Sequence, residues 1–229
     1  MHKVACDEDA SHHPLISALH PADRGARKQG GGVIEAFYEG FSKIQSKPWE
    51  YIFKLHSDLS FSADYFASCL ARFLSDPKLG IGGGLICCCE VEDELCCESP
   101  GDPAFQVRSA TKMYRRACSE AIGGLLKSLG CDTISELKAN MLSWTTGSFR
   151  DVALKDHRFT GSPDGTWKNY VKFGFSNYIT GYHPIFMTPK CLKRLADPLF
   201  LIGSAGLFWG GSKGYLCRVE PVNDSQLIE

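Results

Sequence analysis

The segment Lys54–Phe61 reads Lys-Leu-His-Ser-Asp-Leu-Ser-Phe and ends an apolar-aromatic stretch, so Asp58 stands just beyond a candidate strand, Trp49–Leu55. At the carboxyl ends of strands in an open α/β sheet, side chains face the ligand crevice. A carboxylate there can hold a hard divalent cation such as Mg²⁺ or Mn²⁺. Such a cation can neutralise a diphosphate that departs with its bonding electrons. One Asp after one strand is a weak motif by itself. A second candidate for phosphate chemistry is the basic, glycine-rich stretch Ala22–Gly32, which carries Arg24, Arg27 and Lys28. Guanidinium, ammonium and backbone N–H groups there can contact phosphate; the competing reading is a solvated basic face.

The eleven cysteines include a cluster of five, Cys87, Cys88, Cys89, Cys96 and Cys97. Zinc sites favour pairs separated by two residues, which let two thiolates reach one ion. Adjacent cysteines in a strand point to opposite faces and chelate poorly. The favoured reading is small buried hydrophobes in a reducing cytosol, with a zinc protein as the alternative.

The elements that must position these groups follow from periodicity. Val33, Phe37, Phe41 and Ile44 have helical spacing. After the strand Trp49–Leu55, Ser62 can cap a helix with apolar positions Phe66, Leu70, Phe73 and Leu74, closed at Asp76-Pro77. Leu79–Cys89 is a second strand containing Gly82, Gly83 and Gly84, where bare backbone permits close approach of a ligand or of another chain segment. Glu92–Pro103 is an acidic loop. Lys112–Gly123 reads as a helix closed by two glycines. Thr133 and Glu136 have capping-box spacing, which predicts a helix from there to Trp144. Phe149–Leu154 is a short strand. Strands alternating with helices argue for an α/β domain with a mostly parallel sheet. No internal repeat or low-complexity linker divides the chain.

The run YIFKLHSDLSFSADYF followed by LARFLSDPKLGIGGG resembles the central part of the family-two glycosyltransferases, which are inverting enzymes of the GT-A fold. In that family the strand ends in Asp-x-Asp followed by a Leu-Ser-Phe or Ile-Ser-Phe turn. Further stretches resemble the family in the same order: Gln106–Gly124 (donor-site closure), Gly130–Trp144 (the acidic catalytic residue), Asp156–Gly161 (a His-Arg motif) and Gly181–Met187 (the junction to C-terminal helices). The joint order is more specific than any single motif. The resemblance runs from about Asp23 to the C-terminus.

The resemblance implies a GT-A, Rossmann-like nucleotide-diphospho-sugar transferase fold with flanking helices. It implies transfer of a sugar from a nucleotide-sugar donor to a hydroxyl acceptor, lipid-linked or polysaccharide, with inversion and a divalent metal, Mn²⁺ or Mg²⁺. By the same token Asp58 is a metal ligand and Asp132 the general base, its basicity raised in a partly desolvated cleft; Asp132 also suits a simple helix N-cap. His157 would be a metal ligand and Arg158 a diphosphate clamp. Lys54, Arg24 and Lys28 complete the nucleotide-sugar-binding set. Two departures stand out. His56 occupies a position where the family has Asp; a neutral imidazole ligates Mn²⁺ but suits Mg²⁺ poorly. The family's first two strands, which cradle base and ribose, are not found before Asp23. The expected layout is a poorly ordered segment 1–22, an N-terminally incomplete catalytic domain 23–163 and a helical segment 164–229. A catalytically impaired remnant of the same fold, serving as a membrane-associated binding module, is the alternative.

Composition excludes other classes. Lys and Arg number 25 against 26 Asp and Glu, so no basic excess suggests nucleic acid. The start, MHKVACDEDASHH, has no apolar core of a signal peptide. Near the other end, Pro198–Ser212 carries no charge and is flanked by aromatic and basic residues, including Trp167, Lys168, Lys172 and Lys190. It is short for a membrane span, so it suits a helix lying in a membrane interface, or else a core helix hairpin. The expected location is cytoplasmic, peripheral at the inner face of the membrane.

Overall fold

The computed structural model describes residues 17–20, 25, 31–91, 94–97, 102–128, 130–157, 165–193 and 200–222. Arg24, Arg27, Lys28 and Arg158, and most of the 1–22 segment, lie outside these. The elements run α1 (Gly31–Ser42), β1 (Tyr51–Leu55), β2 (Leu59–Phe61), α2 (Tyr65–Ser75), β3 (Leu79–Val91), β4 (Glu94–Cys97), β5 (Thr111–Arg115), α3 (Arg116–Ala121), α4 (Cys131–Met141) and β6 (Thr145–Asp156). Three further helices follow, α5 (Thr166–Ile179), α6 (Pro184–Lys193) and α7 (Phe200–Leu216).

The strands form one sheet in the order β1-β5-β3-β6-β2, with β4 paired to β3. The fold is α/β, but the sheet is mixed and not mostly parallel. Among the described residues only β3 and β6 pair in parallel; β1–β5, β3–β5, β3–β4 and β2–β6 are antiparallel. For β3 and β4 the reason is connection length. Parallel neighbours need a long crossover, whereas β3 and β4 are separated by two residues and can only turn back. That hairpin also places a strand inside the expected acidic loop. Likewise, Thr111–Arg115 is strand where a helix is expected from Lys112. All of Thr111–Tyr114 is buried, which favours β pairing over the helical reading, and the helix begins at Arg116.

Side-chain alternation sends β1 and β5 to two cores. Ile52 and Tyr114 pack on one face with Ile34, Ile81, Ile122 and Ala139. Tyr51, Phe53 and Met113 pack on the other with Tyr65, Phe73 and Leu154. The three consecutive glycines of β3, Gly82 to Gly84, serve this packing. A Cβ on Gly82 would meet Phe149 and Phe73, one on Gly83 the Thr111 carbonyl, and one on Gly84 Leu154 and Tyr65. The close approach is thus by other chain segments. Of the clustered cysteines, Cys87 is buried as a small hydrophobe, and the side chains of Cys88, Cys89, Cys96 and Cys97 lie outside the described ones; Cys69, Cys118 and Cys131 are also core side chains. No three His, Cys, Asp or Glu among the described residues gather as a metal cluster.

Candidate functional site

The site is built on the face of the sheet covered by α4. With a period of two, Ile52, Lys54 and His56 fall on one side of β1, and Lys112 and Tyr114 on the matching side of β5. The register sets Lys54 directly opposite Lys112. Both ammonium groups are buried, at 3% and 0% exposure. Like charges opposed across a strand pair repel, and buried charges need partners. Helix α4 supplies them. Lys112 Nζ lies 2.8 Å from Glu136 Oε1 and 3.9 Å from Asp132 Oδ1. It also donates to the Asp132 carbonyl at 2.8 Å. Lys54 Nζ lies 3.5 Å from Asp132 Oδ1 and donates to Ser109 Oγ at 2.6 Å and the Ser109 carbonyl at 2.7 Å.

Asp132 sits in the first turn of α4, where the helix dipole favours a carboxylate. It is not the N-cap. That position is Gly130, in the left-handed region at φ 76°. The helix therefore starts before Thr133, and the capping-box spacing does not mark its end. Glu136 instead accepts from the Val107 N–H at 2.9 Å and pairs with Lys112. Burial would raise the Asp132 carboxyl, but Lys112 and Lys54 more than offset it and hold it below the usual carboxylate range. The expected gain in basicity is therefore not present. Burial dominates at Glu136 and pushes its carboxyl up despite Lys112. The neighbouring Cys131 thiol is pushed up to about 12, chiefly by burial, so it is no nucleophile.

His56 follows β1, its N–H donating to the Ala110 carbonyl at 3.1 Å. Burial, then Lys54, lower its pKa, while Asp58, Asp132 and Asp156 pull the other way. The ring is thus neutral at pH 7, and its Nε2 is buried with no hydrogen-bond partner. Beyond it the chain turns at Asp58 into β2, which pairs with the end of β6 so that Leu59 faces Asp156. His157 N–H donates to the Asp58 carbonyl at 2.9 Å, and its Nε2 lies 2.6 Å from Ser60 Oγ.

The structure therefore brings together Lys54, His56 and Asp132, with Asp58 at the same strand end and His157 beside it but turned to Ser60. Lys54 is committed to Ser109 and Asp132 and is not a free phosphate clamp. Lys112, Glu136, Ser109 and Asp156 were not among the site residues singled out from sequence, where Glu136 entered only as a capping residue. One signal for Lys112 was available: a single lysine inside the apolar run Ala110–Tyr114 must be buried and paired if that run is a strand.

A divalent ion fits this donor set in part. An orphaned neutral imidazole nitrogen and a nearby carboxylate, Asp58, are two protein donors. Ions that carry substrate phosphates commonly use only one or two carboxylates from the protein.

No protein-family model matches the chain, and no curated protein matches it. Among solved structures, it is similar to the mannosyltransferase PcManGT from Pyrobaculum calidifontis in complex with GDP-Man and Mn²⁺, at 15% identity and a TM-score of 0.45. The match covers 83% of this chain and 55% of that one, so the chain spans about half the length of that structure.

Proposed function

We propose that the protein is a glycosyltransferase that moves a sugar from a nucleotide-sugar donor to a hydroxyl acceptor with inversion. The observation that carries this reading is the convergence of His56, Asp58 and an ionised Asp132 at the carboxyl end of β1. It is read together with the ordered family motifs in the sequence. His56 Nε2 and Asp58 would hold a divalent ion, Mn²⁺ in preference to Mg²⁺ because one donor is imidazole. That ion, when bound, would neutralise the departing diphosphate. His157 lies at the rim, and Arg24, Lys28 and Arg158 remain candidates for phosphate contact.

Asp132 faces the acceptor side in this reading. The acceptor oxygen attacks the anomeric carbon from the face opposite the diphosphate, the new C–O bond forms, and the bond to the diphosphate breaks with its electrons. The acceptor proton passes to the Asp132 carboxylate. A carboxylate of depressed pKa suffices, because the hydroxyl becomes strongly acidic only as its oxygen bonds to carbon. Lys54 and Lys112 then act by positioning: they keep Asp132 ionised and fixed for that transfer. A peripheral place at the inner membrane face fits an acceptor that is lipid-linked or a growing cell-envelope polysaccharide.

A second reading, a catalytically impaired remnant, is favoured by one observation. Lys54 and Lys112 are wholly absorbed by the Asp132–Glu136 network, which would stabilise the fold even without a substrate. Calorimetry and turnover separate the two. Mn²⁺-dependent nucleotide-sugar binding, with transfer or donor hydrolysis that falls at least about a hundredfold in Asp132→Asn and in Asp58→Ala, supports the enzyme. Absence of metal-dependent nucleotide binding by the unaltered chain removes it.

A further inference from the structure

Helix α7 is amphipathic in an inverted sense. Apart from Leu207, its inward positions are small, and its outward ones include large apolar side chains. Gly206, Gly210 and Gly214 face α5, where a Cβ would strike Tyr170, the Val171 carbonyl and the Tyr178 ring respectively. The residues turned to solvent are Leu201, Ile202, Phe208, Trp209, Tyr215 and Leu216, between 46% and 74% exposed. At 100° per residue they fall within one arc of roughly 140°. Lys213 lies at one border of that arc. An exposed apolar face of this kind marks a binding surface.

Charge says what covers it. Residues 165–222 carry seven Lys and Arg against two acidic residues, whereas the whole chain has 25 against 26. Trp167 and Lys168 stand at the start of the neighbouring α5, Lys213 borders the arc and Arg218 follows α7, and among the described residues of 165–222 only Glu220 is acidic. Aromatic rings and long cationic side chains beside an apolar stripe match a bilayer interface, where rings sit at headgroup depth and lysines extend to the phosphates. No helix among the described residues is long and apolar enough to cross a membrane.

We propose that the outward face of α7 docks in the interface of an anionic lipid bilayer, lying in its plane. The docking orients the candidate site. Helices α5 and α7 run parallel, since Tyr170 meets Gly206 and Tyr178 meets Gly214. Lys213 and Arg218 therefore stand at the same end as Ser176 and Thr180, on which Gly130 packs, two residues before Asp132. Ser176 and Thr180 lie on the side of α5 opposite Gly174, which packs on α7, so α5 and α7 stand between the bilayer and the start of α4. The docking itself does not depend on the glycosyltransferase reading, and its test reads no activity.

The test is flotation of the full chain with vesicles of phosphatidylcholine alone or with about one-third phosphatidylglycerol. The expected result is partition at least about tenfold stronger onto the anionic vesicles, weakened by salt. Phe208→Ser/Trp209→Ser should lower it by about tenfold or more, with unchanged circular dichroism. Lys213→Glu/Arg218→Glu should remove most of the preference for anionic vesicles without touching the apolar face. No flotation of the unaltered chain, or flotation of both double variants equal to that of the unaltered chain, overturns the proposal. So does a stable dimer that Phe208→Ser/Trp209→Ser converts to monomer while the unaltered chain ignores vesicles, since the face would then cover a second copy.

Discussion

Two lysines opposed across a strand pair are unusual, and their consequences are testable residue by residue. Lys112 is fully buried between Glu136 and Asp132. Lys112→Met strands Glu136, leaves Asp132 with Lys54 alone, and should cost about 3–5 kcal/mol in urea unfolding. Lys112→Met/Glu136→Leu should recover part of that loss, because a buried pair replaced by apolar groups is often tolerated. Asp132 gives a pH signature. Its carboxyl is held low in the folded state, so its contribution to stability is present above the ordinary carboxylate pKa of about 4 and is lost as pH falls through the lower folded value. The stability gap between the unaltered protein and Asp132→Asn should therefore be widest near neutrality and narrow on acidification. Glu136 acts in the opposite sense. Its raised carboxyl favours the folded state at acidic pH, and that advantage is lost as pH rises through the folded value.

At the scale of elements, glycine positions decide how closely strands and helices approach. Gly83 on β3 packs against the Thr111 carbonyl of β5, and backbone cannot swing aside as a side chain can. Gly83→Ala should cost about 1–3 kcal/mol by chemical denaturation and loosen the strand that carries Lys112. Arg115 ties β5 to the end of α2. It donates to the carbonyls of Phe73, Asp76 and Leu79 and lies over the rings of Tyr51 and Phe73. That clamp satisfies carbonyls at a helix C-terminus and fixes the antiparallel β5 where a helix was expected. Periodicity located β1, α1 and α2 to within a few residues. The capping-box spacing likewise placed α4 to within a few residues, though not its first turn. Periodicity failed for β5 and β4, because short apolar runs carry no period that separates strand from helix.

At the scale of the whole molecule, the sheet carries the candidate site and the C-terminal helices carry much of the exposed apolar surface. The two meet at Gly130, Ser176 and Thr180. The outer residues of α7 contribute little to the folded state, since their side chains remain in water. Phe208→Ser/Trp209→Ser should shift unfolding free energy by less than about 0.5 kcal/mol while reducing self-association in concentrated samples, measured by light scattering.

What the sequence alone determined is local and additive. The apolar run and turn around Lys54–Phe61, the ordered motifs and the basic, aromatic C-terminal helices are all properties of neighbouring residues. The α/β class follows from the same local patterns. Only the tertiary structure decided the strand directions, since these depend on which distant segments pair. It alone set Lys54 against Lys112, drew Glu136 out of a cap and into a salt bridge, and left His56 Nε2 buried without a partner. Each of these depends on residues far apart in the chain, and a buried charge is settled by the partner that folding brings to it.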